Sequence, residues 1–148
     1  MARASFDVAV IGGGPAGSIA ATSLALAGRS VAVFEREKFP RFHIGESLLP
    51  FSMDAFERFG ILQKLDAAGF IHKYGAEITS GCGSGEIRFY FKDGFRSKTP
   101  TAFQVERSRF DKILLDHARE CGAHVREETS VEDIALSPGR PKLTVKAK

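Results

Sequence analysis

Cysteine occurs only twice, at Cys82 and Cys121, far apart and with no Cys-x-x-Cys spacing. That scarcity excludes a zinc-ligand set and a disulfide framework; it fits a reducing compartment, so a cytoplasmic location is expected. The four histidines, His43, His72, His117 and His124, share no ligand spacing, and no metal site is expected. Long apolar runs are also missing. None approaches the roughly 20 residues that cross a bilayer, which argues against stable membrane insertion. The first run, Phe6 to Ile11, is too short and too closely followed by glycines to be the core of a signal peptide. Nor is there a block of one charge. The 21 basic and 18 acidic residues are interspersed and leave a net charge of +3, so no nucleic-acid partner is expected. Internal repeats and low-complexity tracts are absent as well.

What is present is an alternation of short β-rich runs and helical patterns across 148 residues, enough for one domain with a real core. Phe6 to Ile11 is nearly unbroken in its apolar character, as in a strand buried on both faces of a parallel sheet. Small and apolar residues then recur at helical spacing from Pro15 to Ala27, with proline in the first turn and Gly28 past the end. Ser30 to Phe34 is a second β-rich run, so Phe6 to Glu35 forms a strand, helix, strand unit with parallel strands. Arg36 to Gly45 has no period and reads as a loop, followed by helical pieces over Leu48 to Phe59 and Ile61 to Ala68. Between Gly75 and Thr101, glycines interrupt β-rich runs such as Ile87 to Phe91, the pattern of a small antiparallel sheet, with its clearest turn at Lys92-Asp93-Gly94. Phe103 to Glu106 returns as a strand. Ser108 with Asp111 three residues on suggests a capped helix start, with an apolar face of Phe110, Ile113, Leu114, His117, Ala118 and Cys121. Three further strands are expected at Ala123 to Val125, Val131 to Leu136 and Leu143 to Val145, the last preceded by a turn at Ser137-Pro138-Gly139. Because no closing helix or polar tail follows, the chain is expected to be the N-terminal part of a longer one.

Gly12-Gly13-Gly14-Pro15-Ala16-Gly17 carries the first chemistry. It matches G-x-G-x-x-G, in which the first glycine permits the turn off the strand, the second lets backbone approach a pyrophosphate and the third lets the helix pack on the sheet. The turn follows a strand, opens a helix and is answered by Glu35 at the end of the next strand, roughly 20 residues on, where an acid can accept hydrogen bonds from a ribose. That context points to a dinucleotide, and the carboxylate disfavours a 2′-phosphate and hence NADP.

The segment Phe39-Pro40-Arg41-Phe42-His43-Ile44-Gly45-Glu46-Ser47-Leu48-Leu49-Pro50 narrows the reading. With Lys73 ahead of Tyr74-Gly75-Ala76, and Gln104-Val105-Glu106-Arg107-Ser108-Arg109-Phe110-Asp111, it resembles the flavin-dependent halogenases, in the wider family with the p-hydroxybenzoate hydroxylase fold. The resemblance runs through essentially the whole chain. It implies an α/β fold in which a Rossmann-like βαβ FAD-binding domain with a parallel sheet, residues 1–148, carries the start of a smaller antiparallel substrate-side sheet over residues 70–105. It implies FAD held by Gly12, Gly14, Pro15, Ala16, Gly17, Glu35 and Arg36, with Gly45, Glu46 and Ser47 beside the flavin. Arg107 would face the pyrophosphate, a role suited to its planar fork.

Lys73 is the implied catalytic residue. Reduced flavin and oxygen would turn halide into hypohalous acid, which this lysine captures or orients beside an electron-rich phenolic or pyrrolic substrate, free or carrier-bound, with a separate flavin reductase as partner. By residue type alone Lys73 is a solvated surface charge, Glu46 a helix-start anion and Arg107 a charge ahead of a helix. Tryptophan is absent, so the Trp-x-Trp-x-x-Pro signature of tryptophan halogenases is not in these residues. A monooxygenase, a geranylgeranyl-reductase-like enzyme and a non-catalytic nucleotide-binding fragment remain the alternatives.

Overall fold

A computed structural model describes residues 4–94, 99–136 and 141–148. The β-rich run before the glycines forms β1 (Val8–Ile11), helical spacing gives α1 (Pro15–Leu26), and the next run forms β2 (Val31–Phe34). β1 and β2 pair in parallel, Val8 opposite Val31 and Ile11 opposite Phe34, as a crossover unit requires. The helix stops where it is expected to: Gly28, just past its end, has φ +76°, a left-handed value that glycine tolerates at low cost. Later in the chain come α2 (Phe51–Arg58), α3 (Leu62–Ala67), β3 (Ile71–Lys73), β4 (Gly75–Thr79), β5 (Glu86–Tyr90), β6 (Ala102–Gln104), α4 (Arg107–Glu120), β7 (His124–Arg126), β8 (Thr129–Ala135) and β9 (Lys142–Ala147).

Two units divide these elements: Met1–Phe42 with Ser108–Lys148, and His43–Arg107. In the first unit β7 adds to β2 in parallel, giving the sheet order β1-β2-β7, and β8 and β9 form an antiparallel hairpin. Its core gathers Ala21, Val31, Val33, Phe39, Leu115, Ala118 and Ala123. The second unit holds two antiparallel pairs, β3 with β6 and β4 with β5. Its buried apolar residues include Met53, Phe56, Ile61, Leu65 and Phe103.

Several expectations are corrected. β1 is not buried on both faces: Val8 and Val10 are half-buried while Ala9 and Ile11 are exposed, Ile11 at 53 %. The reason is position, since β1 is an edge strand of the described sheet and only β2, with all of Val31 to Val33 buried, lies inside it. α4 begins at Arg107 and not at a Ser108 cap, so Asp111 lies inside the helix and is wholly buried. Leu115 belongs to the buried face, whereas Ile113 and Cys121 are only half-buried. The helix expected from Leu48 starts at Phe51, because Ser47 is bridged to Gln104 of β6. β3, only three residues long, was not legible as a strand. Lys92-Asp93-Gly94 lies on a single 3-10 turn, with Gly94 N–H donating to Phe91 O at 3.0 Å. The turn expected at Ser137-Pro138-Gly139 lies outside the described residues. Among the described residues, no helix is long and apolar enough to cross a membrane.

Candidate functional site

The glycine turn is built around one carboxylate. Glu35, 4 % exposed at the end of β2, accepts hydrogen bonds from Gly13 N–H at 2.7 Å and from Glu37 N–H at 2.9 Å, one on each oxygen. Each oxygen keeps a further lone pair, so the same group can bind the turn and accept a sugar hydroxyl. Gly12 turns at φ +98°, a conformation that favours glycine. Gly17 is required by contact: a Cβ there would stand 1.9 Å from the Gly12 carbonyl oxygen. Gly13, a variable position in the glycine pattern, is crowded too, its Cβ position lying 3.0 Å from Leu115 Cδ1 and 3.2 Å from Glu35 Cβ.

Gly14 is the N-cap of α1 and Pro15 its first residue. Ser18 closes the first helical hydrogen bond onto Gly14 O at 2.9 Å, and its hydroxyl donates to Gly13 O at 2.8 Å. The amides of the first turn before Ser18, at Ala16 and Gly17, have no carbonyl partner within the helix and carry its partial positive charge. Ala16 is exposed and Gly14 and Gly17 are half-buried, so this end of the helix is open to a ligand. Arg36 is exposed. Arg41, not singled out from the sequence, places Nη2 3.5 Å from where a Cβ of Gly14 would be. An anion-binding helix start with a buried acceptor at the next strand end fits an adenosine diphosphate moiety, and thus FAD.

In the second unit the structure brings together Gly45, Glu46, Ser47, Lys73 and Arg107. The 46–48 segment lies along β6, with Val105 N–H donating to Glu46 O at 2.8 Å and Leu48 N–H to Phe103 O at 3.0 Å. Glu46 is exposed. Lys73, half-buried on β3, donates to Ser47 Oγ and to Leu48 O at 3.1 Å, with Nζ 5.5 Å from the centre of the Phe91 ring. Arg107 donates from Nη1 to Ile44 O at 2.6 Å and to Gly45 O at 3.3 Å. It therefore clamps the Gly45 turn, where φ is +102°, a structural task that the sequence did not show.

Comparison with known proteins agrees with this geometry. The family model described as FAD binding domain matches residues 5–141. The 1H-pyrrole-2-carbonyl-[peptidyl-carrier protein] chlorinase of Pseudomonas fluorescens is 39 % identical, with 94 % of this chain and 35 % of that protein covered. The solved structure of CmlS, a flavin-dependent halogenase, is 42 % identical with a TM-score of 0.88, covering 97 % of this chain and 26 % of that one. A flavoprotein/dehydrogenase from Cytophaga hutchinsonii is 40 % identical with a TM-score of 0.88, covering 95 % of this chain and 35 % of that one. The chain thus spans about a third or less of the proteins it matches. With the family model matching over most of its length, and a glycine turn and acid shaped for the same cofactor, this chain belongs to the FAD binding domain family.

Proposed function

We propose that these residues serve an FAD-dependent oxidoreductase that halogenates an electron-rich phenolic or pyrrolic compound, free or carrier-bound, with a separate flavin reductase as partner and a cytoplasmic location. The observation that carries the proposal is Lys73: a half-buried amine held on Ser47 Oγ and Leu48 O, at the Gly-Glu-Ser segment the halogenase resemblance rests on. Support also comes from relatives named as halogenases, including five of Armillaria mellea at 41 to 45 % identity.

Bound FAD, once reduced, supplies with oxygen the oxidation of halide to hypohalous acid. The first-turn amides of α1 hold the diphosphate and Glu35 accepts the ribose hydroxyls. Gly45, Glu46 and Ser47 are proposed as flavin contacts, and Arg107 supports them through the Gly45 turn. A lysine has three N–H donors. Two of them are spent on Ser47 and Leu48, which leaves the third to hydrogen-bond and orient the oxidant toward the aromatic carbon.

The test supplies the protein with FAD, a flavin reductase, oxygen, bromide and a phenol or pyrrole probe, and reads products by mass spectrometry. A bromine isotope pair that disappears without bromide is expected. Hydroxylated product independent of halide would overturn halogenation and assign the protein to the monooxygenases. Lys73→Ala is expected to abolish brominated product while flavin reduction continues, and undiminished bromination would remove Lys73 from the mechanism.

A further inference from the structure

Lys73 is followed by Tyr74-Gly75-Ala76, and the geometry gives the glycine of that run a task. β4 begins at Gly75, directly opposite Tyr90 at the end of β5, and a Cβ on Gly75 would stand 2.3 Å from Phe89 O and 3.2 Å from Tyr90 Cα. Only a residue without a side chain lets the returning strand come this close. The close approach is used at once. Phe91 N–H donates to Tyr74 O at 2.8 Å, and Phe91, 7 % exposed at the start of the turn Phe91–Asp93, places its ring 5.5 Å from Lys73 Nζ. That lies within the reach of cation–π attraction, about 6 Å. The Phe89 ring, tilted against that of Phe91 with 6.3 Å between centres, backs it. A lysine stem is long and flexible, and its two hydrogen bonds, to Ser47 Oγ and Leu48 O, leave the head able to exchange them for water. A ring face over the same head restrains that exchange.

We propose that Phe91 is the positioning residue of Lys73, its ring pinning the charged head so that the remaining N–H keeps one direction toward the oxidant, and that Gly75 serves to bring that ring in. The inference rests on reading Lys73 as the residue that orients the oxidant. It joins two segments that the sequence presents separately, Lys73-Tyr74-Gly75 and Phe89-Tyr90-Phe91, in one task within the second unit.

Two readouts test this, with thermal melting to confirm that each variant is folded. The first is reductive methylation of the chain with formaldehyde and a borohydride, mapped by peptide mass spectrometry, with the exposed Lys146 as internal reference. Phe91→Leu, which keeps apolar bulk and loses the ring face, is expected to raise the Lys73 rate roughly fivefold relative to Lys146, the size of one such contact. Gly75→Ala is expected to raise it as well and to add nothing in the Phe91→Leu background, since both act through the same ring. The second readout is the bromination assay with a soluble scavenger of free hypobromous acid added. Phe91→Leu is expected to leave oxygen consumption unchanged and to move bromine from the probe to the scavenger. A Lys73 rate that stays at the wild-type value in Phe91→Leu overturns the positioning role even where the melting temperature falls, and so does an unchanged division of bromine. Additive effects of the two substitutions overturn the role of Gly75. Undiminished bromination by Lys73→Ala overturns the reading of Lys73 itself and the proposal with it, a failure that the methylation rates do not share.

Discussion

Glu35 shows how one side chain joins fold and function. Its oxygens accept the Gly13 and Glu37 amides, so the carboxylate proposed to accept a ribose also fixes the shape of the turn proposed to meet the diphosphate. Cys82 shows a different local effect. Exposed in the loop after β4, its thiol is held down from an ordinary 9.0 to about 7, first by the Ser80 hydroxyl and then by Ser84. These groups stabilise the thiolate, which is the reactive form and dominates above that pH. Alkylation of Cys82 is therefore expected to rise through pH about 7, with the midpoint moving upward in Ser80→Ala/Ser84→Ala; an unmoved midpoint would contradict the hydroxyl account. At this scale the sequence was most legible where spacing is itself the constraint, as at Gly12, Gly14, Gly17 and Glu35. Arg41 and Asp111 were not legible, because a loop cation and a helix acid meet only through the fold.

The element on which the proposed cofactor site turns is α1. Its small inner face, with Ser18, Ala21 and Thr22 buried, lets it lie close to the sheet. Gly17 sets the limit, since an added Cβ would meet the Gly12 carbonyl at 1.9 Å and backbone there cannot move without opening the turn. Gly17→Ala is expected to cost about 3 kcal/mol, high in the ordinary range for point substitutions, and to abolish ADP binding. Gly28→Ala, in open space with φ +76°, is expected to cost only about 1 kcal/mol. Denaturant unfolding checks both, and equal costs would contradict the close-approach argument. Long periodic elements such as α1 and α4 were readable to within a residue or two. β3 was not, because three residues show no period, and the exposure of β1 follows from its edge position, which no local pattern encodes.

At the scale of the whole molecule the chain leaves the first unit after Phe42 and returns to it at Ser108. The strand, helix, strand opening announces that unit, but the return is visible only in space, where β7 pairs with β2. Residues near the start of the chain supply the turn proposed for the diphosphate, while α4, much later, supplies the buried acid paired with Arg41. The most direct test is a solved complex of the chain with FAD. The account predicts phosphate oxygens about 3 Å from the Ala16 and Gly17 amides, with the adenosine ribose hydroxyls on Glu35. A complex in which the adenosine diphosphate lies elsewhere, with α1 and Glu35 untouched, would contradict it.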